Sequence, residues 1–211
     1  MIPDQMYKKY LNLLLQGDRN GCSQIVQELL DQDVEIKSVY TDLFQKSLYT
    51  VGELWECNRI SVAKEHLATG ITEGLLTLIY PRLFADKRDK QDKKVVISCA
   101  ANEFHQIGGK IVADLFELHG WDGYFLGANT PVIGMLEYIQ ETKPDLVGLS
   151  LSVFFNFASL QEGLEAIRST FVTMYIFVGA QAFRWGGIDA IKQYSRTEYI
   201  PSLDALEKSI K

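Results

Sequence analysis

Along the first 84 residues, apolar positions recur at intervals of three and four. "KYLNLLLQ" and "CSQIVQELLDQ" carry this period, and "VEIKSVYTDLFQKSLYTVGELWE" and "SVAKEHLATGITEGLLTLIYPRLF" continue it. That spacing gathers the apolar side chains of a helix on one face. Asp18 and Ser61 stand just ahead of two such runs, where a short side-chain oxygen can accept from the unpaired N–H groups of a first helical turn. Four or five helices are predicted over residues 1–84, enough for a small bundle.

The run "ADKRDKQDKK", residues 85–94, is charged and has no apolar period, so it predicts a linker. Beyond it the rhythm changes. "VVISCA", "DGYFL", "DLVGLSLS" and "MYIFVGA" are short apolar runs rich in β-branched and aromatic residues, with amphipathic helical segments between them. This alternation predicts an α/β domain over residues 95–211, a doubly wound, Rossmann- or flavodoxin-like parallel sheet of about five strands. The loops "AANEFH", "GANTP", "SVFFN" and "GAQAF" then fall together at the carboxyl edge of the sheet, where open α/β folds place ligands. Pro131 after Asn129-Thr130 reads as a capped helix start with proline in the first turn.

Composition narrows the classes. A formal charge of -6, from 21 Lys+Arg against 27 Asp+Glu, repels nucleic-acid phosphates and offers nothing polybasic to an anionic membrane. No direct nucleic-acid or membrane binding is expected. No apolar stretch approaches the roughly 18 residues of a membrane span, and "MIPDQMYKKY" lacks a secretory core; a cytoplasmic location is the expectation. Cys22, Cys57 and Cys99 are odd in number and widely spaced, and they are read as reduced, small apolar fillers.

One of only three histidines, His105, lies in a predicted strand-end loop, two residues after Glu103 and three before Gly108-Gly109. The stretch "EFHQIGG" fits neither the Gly-x-Gly-x-x-Gly fingerprint nor the Walker lysine pattern. A neutral imidazole is a good metal donor, and a carboxylate on its other nitrogen fixes the tautomer and raises its basicity. His119, in "ELHGWD", is read as structural or surface-lying.

Glu103-x-His105-x-x-Gly108 resembles the cobalamin-binding motif of methionine synthase-type modules, which begins with Asp and is followed by Ser-x-Leu and Gly-Gly. Ser150 and Gly179 stand at the corresponding spacings, with Ser152 in place of Leu and Ala180 in place of the second Gly. The resemblance implies a cobalamin held base-off, with His105 as the lower axial ligand and Glu103 behind it. Gly108, Ser150 and Gly179 would line a slot for the displaced tail. Phe104, Gln106, Ile107, Ser152 and Ala180 complete the implied cofactor-binding set of this half.

The helical half adds "WECNRISVAKEH", in which Trp55 is followed after nine residues by Glu65 and His66. This resembles the signature of the cobalamin-dependent light-sensing transcriptional regulators. It implies that Trp55, Glu65 and His66 grip an adenosyl group, with Val62 packing nearby. Two departures stand out: Glu56 occupies the place of a histidine that takes over cobalt after photolysis, and the chain opens on the bundle without a helix-turn-helix domain.

The function expected from these resemblances is a cobalamin-binding sensor, a photoreceptor or signalling module in transcription regulation. It would hold adenosylcobalamin, act through a protein partner or self-association, and not be an enzyme on its own. The alternative is a corrinoid methyl carrier of a methyltransferase system, holding methylcobalamin. An adenosylcobalamin mutase subunit ranks third, because that class lacks a helical cap.

Overall fold

The helix-forming half behaves as its periodicity dictates. In the computed structural model, which describes residues 2–85 and 89–210, the chain divides into two units, Met1–Asp86 and Lys87–Lys211. In the first, α1 (Asp4–Gln16) is closed by Gly17 at φ 76°, a conformation that costs glycine little. Asp18 accepts the Gly21 N–H at 2.9 Å and opens α2 (Arg19–Asp31). Then α3 (Ile36–Ser38) runs through a π-helical stretch, Val39–Gln45, into α4 (Lys46–Glu56). Ser61 Oγ accepts the Lys64 N–H at 3.3 Å ahead of α5 (Val62–Ala85). The core of this unit includes Tyr10, Leu14, Leu29, Leu43, Phe44, Leu76 and Ile79.

The second unit is built on β1 (Lys94–Cys99), β2 (Asp122–Phe125), β3 (Leu146–Ser150), β4 (Tyr175–Gly179) and β5 (Thr197–Tyr199), all parallel, in the order β2-β1-β3-β4-β5. The helices are α6 (Ile107–Leu118), α7 (Val132–Thr142), α8 (Phe157–Thr170), α9 (Ile188–Ile191) and α10 (Leu203–Ile210). Alternate strand residues face opposite layers. Val95, Ile97 and Phe177 pack with Ala113, Phe116, Leu206 and Ile210, from α6 and α10. Val96, Val147, Ile176 and Val178 pack on the other face with Met135, Ile139, Leu160 and Leu164, from α7 and α8. Gly148 is obligatory here, since a Cβ would lie 2.4 Å from the Phe177 ring and 2.7 Å from Ile97. The sheet is the predicted one, and its strand order reverses between β1 and β3.

Several expectations change. Ala85 is the last residue of α5 and Lys94 the first of β1; of the charged run between them, residues 86–88 lie outside the described residues. Its second half is tied to the sheet unit: Gln91 Nε2 donates to the His119 carbonyl at 2.7 Å, Lys90 pairs with Asp122, and the Lys93 ammonium lies over Trp121. Cys22 and Cys99 are buried fillers, but Cys57 is exposed in the turn after α4. Pro131 is the residue before α7, and no side chain caps that helix. His119 is buried and meets Glu207 of α10 at 3.1 Å. Among the described residues no helix is long and apolar enough to cross a membrane.

Candidate functional site

The reversal of strand order sends the loops after β1 and β3 in opposite directions and leaves a crevice at their carboxyl ends. Both loops contribute to one buried carboxylate. Glu103, wholly inaccessible to solvent, accepts through Oε1 from the His105 backbone N–H at 2.9 Å and lies 2.6 Å from His105 Nδ1. Through Oε2 it accepts from the backbone N–H groups of Ser152 and Val153, at 2.8 and 2.9 Å. Burial opposes ionisation of Glu103, but the donors from His105 and Val153 outweigh it and hold its pKa below the ordinary value. An ionised carboxylate can only accept, so Nδ1 carries a proton toward it. The His105 side chain is 50% exposed.

The rest of the predicted set on this unit lies in the loop after β1, at the start of α6, and at or just beyond the ends of β3 and β4. Cys99, Ser150 and Gly179 are register partners at the ends of β1, β3 and β4. Ser150 is buried, and its carbonyl accepts the Ala100 N–H at 3.1 Å. Ile107 is buried at the start of α6, and Phe104 is exposed beside the histidine. A Cβ on Gly127 would lie 3.7 Å from Gln106 Oε1, so that side chain reaches toward the β2 loop. The two glycines that open α6 differ: a Cβ on Gly108 would meet nothing within 4 Å, while one on Gly109 would lie 2.9 Å from the Phe125 ring and 3.6 Å from Ser150 Cβ. Gly108 therefore faces open space, and Gly109 serves packing. Ala180 has φ 86° and ψ -174°, a backbone region almost reserved for glycine.

The four predicted residues of the helical unit lie across the turn between α4 and α5. Trp55 is in the last turn of α4 and 44% exposed, Val62 begins α5 and is 50% exposed, and His66 is exposed. Trp55 is thus not part of the bundle core. Glu65 lies 3.6 Å from His66 Nε2 and accepts from Thr69 Oγ1 at 3.0 Å.

Periodicity and motif spacing missed an asparagine network under the His105 loop. Asn102, at φ 63°, is bonded on three sides: its N–H donates to Asn129 Oδ1 at 2.8 Å, its carbonyl accepts from Asn156 Nδ2 at 2.9 Å, and its Nδ2 donates to Ser159 Oγ at 3.2 Å. The available signal was Asn102 itself, immediately before the motif glutamate. Asparagine tolerates the left-handed region better than other non-glycine residues.

The residues present fit a metal that brings its own equatorial ligands. Among the described residues no three of His, Cys, Asp and Glu cluster to hold an ion, while His105 is a half-exposed imidazole held through Nδ1 by Glu103, three residues ahead of Gly108, where a Cβ would meet nothing within 4 Å. Two family models, each described as a B12 binding domain, match residues 6–80 and 93–186. The chain is 19% identical over 164 residues to methionine synthase of Mycobacterium tuberculosis, matching with 78% of its own length and only 14% of that protein. It is 23% identical over 184 residues to trimethylamine corrinoid protein 1 of Methanosarcina acetivorans, covering 81% of this chain and 82% of that one. The fold is similar to that of the Methanosarcina barkeri monomethylamine corrinoid protein, with TM-score 0.83, 14% identity, and 97% and 96% of the two chains covered.

Proposed function

We propose that this chain, which belongs to the B12-binding family, is a corrinoid protein that carries methyl groups between methyltransferase partners. The observation that carries the reading is the His105–Glu103 pair: a half-exposed imidazole whose Nδ1 lies 2.6 Å from a buried carboxylate. The likeness to a trimethylamine corrinoid protein over about four-fifths of both chains favours the carrier over the light sensor. Methionine synthase contributes less, since the chain spans only 14% of it.

A bound cobalamin supplies a cobalt that takes up and gives up a methyl group. The chain's own residues bind and orient. His105 gives Nε2 to the metal, and Glu103 keeps the proton on Nδ1 and stops the ring from turning. Gly108 keeps the adjacent face clear, Ser150 and Gly179 line the route of the cofactor tail, and Phe104, Gln106, Ile107, Ser152 and Ala180 border it. Methylcobalamin is the form this reading assigns, and a methyltransferase is the partner.

A second reading keeps one observation in its favour. Trp55 in the last turn of α4 and Val62 and His66 in the first turns of α5 are all exposed, available to grip adenosylcobalamin in a photoreceptor that signals through a partner. Titration of the apoprotein with methyl- and adenosylcobalamin in the dark separates the two. The carrier binds both with similar affinity and keeps the same shape by small-angle scattering on illumination. A strong adenosyl preference that Trp55→Ala abolishes, with a light-dependent change of shape, overturns it.

A further inference from the structure

Asn129 of the β2 loop bonds twice to the loop that carries His105. Asn129, at φ 47°, gives its backbone N–H to the Glu103 carbonyl at 2.7 Å and takes the Asn102 N–H on its side-chain Oδ1 at 2.8 Å. It thus grips the chain on both sides of the peptide bond joining Asn102 to Glu103. Two residues before Pro131, the same side chain could have served the start of α7, yet no side chain caps that helix. The oxygen accepts from the neighbouring β1 loop instead.

We propose that Asn129 is a positioning residue for the metal-donating histidine. Resting on the cobalamin reading above, the inference assigns it the task of fixing the Asn102–Glu103 peptide so that the carboxylate meets His105 Nδ1 and the Ser152 and Val153 N–H groups together. Glu103 has four donors to satisfy with two oxygens, and hydrogen bonds weaken steeply as their angles close. A small rotation of the peptide that carries its side chain would break one arm of the clamp. The Asn129 side-chain bond lies at the exposed rim, where water can replace it, so its loss disturbs aim more than global stability.

The test uses three variants of the full chain. Asn129→Gly keeps the left-handed backbone and removes the oxygen, Asn129→Asp keeps both the backbone preference and the acceptor, and Asn129→Ala removes the oxygen and strains the backbone. Thermal melting of the apoproteins is read first. Nitrogen hyperfine splitting in the electron paramagnetic resonance spectrum of the cob(II)alamin-loaded proteins, compared between 14N- and 15N-histidine-labelled protein to set aside the cofactor's own base, then reports the fraction with histidine on cobalt. Asn129→Gly is expected to melt as the parent does, to lose most of the histidine-on signal and to bind cobalamin about tenfold more weakly, as partners behind a metal ligand commonly do. Asn129→Asp is expected to restore both to within about twofold of the parent, a small fraction of the loss such partners cause. A parent-like splitting in Asn129→Gly overturns the inference, as does failure of Asn129→Asp to recover it. Absence of nitrogen splitting in the parent itself overturns the cobalamin reading instead. If Asn129→Gly melts well below the parent, Asn129 is a structural residue and the positioning role falls.

Discussion

The Glu103 carboxylate, shut off from solvent, is fixed against His105 at two points, 2.9 Å from its backbone nitrogen and 2.6 Å from its imidazole Nδ1. Because the other carboxylate oxygen receives two more N–H groups, the site has no place for an amide. In Glu103→Gln the NH2 group must face either the His105 donors or those of Ser152 and Val153. The expected cost is about 1–3 kcal/mol of stability and about 10- to 100-fold in cobalamin affinity, read by denaturant melts and by absorbance titration. His105→Ala is expected to leave the cofactor weakly bound, with water or the tail nitrogen below the metal, so that 15N-histidine labelling no longer changes the cob(II) spectrum.

Adjacent glycines should respond in opposite ways. Gly108→Ala meets open space in a helix, so stability is expected to hold or rise by about 0.5–1 kcal/mol while cobalamin affinity falls. Gly109→Ala drives a methyl to 2.9 Å from the Phe125 ring and is expected to destabilise the apoprotein by about 1–3 kcal/mol. Melting curves paired with titrations distinguish the two.

Ala180 sits in a backbone conformation that costs a non-glycine residue about 1–3 kcal/mol. Ala180→Gly releases that strain and gives back part of the gain through a freer unfolded chain. A net stabilisation of about 1 kcal/mol is expected in apoprotein denaturation. A destabilised variant would mean that contacts of the methyl group outweigh the strain.

The thiols should divide by reactivity. Burial pushes the Cys22 thiol up to about 11 and the Cys99 thiol up to about 12, with nearby carboxylates of Asp18 and Glu103 adding to it, whereas Cys57 is exposed. A thiolate reagent at pH 8 is expected to label Cys57 in the native protein and to reach the other two only after unfolding. The sign of the linkage follows. As pH rises through 9, the unreacted thiols of the unfolded chain lose protons that the folded chain keeps, so stability falls with pH.

Helix period and strand runs were legible because they report burial on one face or on two, and that is how α1, α2, α5 and β1 to β4 came through. β5 was not picked out by its own run, since its three residues sit half-exposed at the edge of the sheet and carry little apolar pattern. The resemblance to the cobalamin-binding motif singled out Glu103, His105, Ser150 and Gly179, and of these Ser150 and Gly179 are register partners at the ends of β3 and β4. The donors to Glu103 from Ser152 and Val153 are main-chain groups, which no side-chain pattern encodes. The Asn102–Asn129 bond was equally silent, since it joins loops 27 residues apart and depends on which way an exposed side chain turns. Cys57 was misread because a lone cysteine looks the same in a core and in a turn.

The order of strands in the sheet also sets an order in time. During synthesis β1, α6 and β2 are complete by Phe125, yet the N–H groups that hold the second oxygen of Glu103 belong to residues 49 and 50 positions further along the chain. Contacts of such separation form late. A nascent chain thus carries His105 with its ring unanchored until β3 docks beside β1. The four-donor clamp on Glu103 is a property of the finished sheet, and a chain stalled or cleaved before Ser152 would display the whole Glu-x-His-x-x-Gly motif without it.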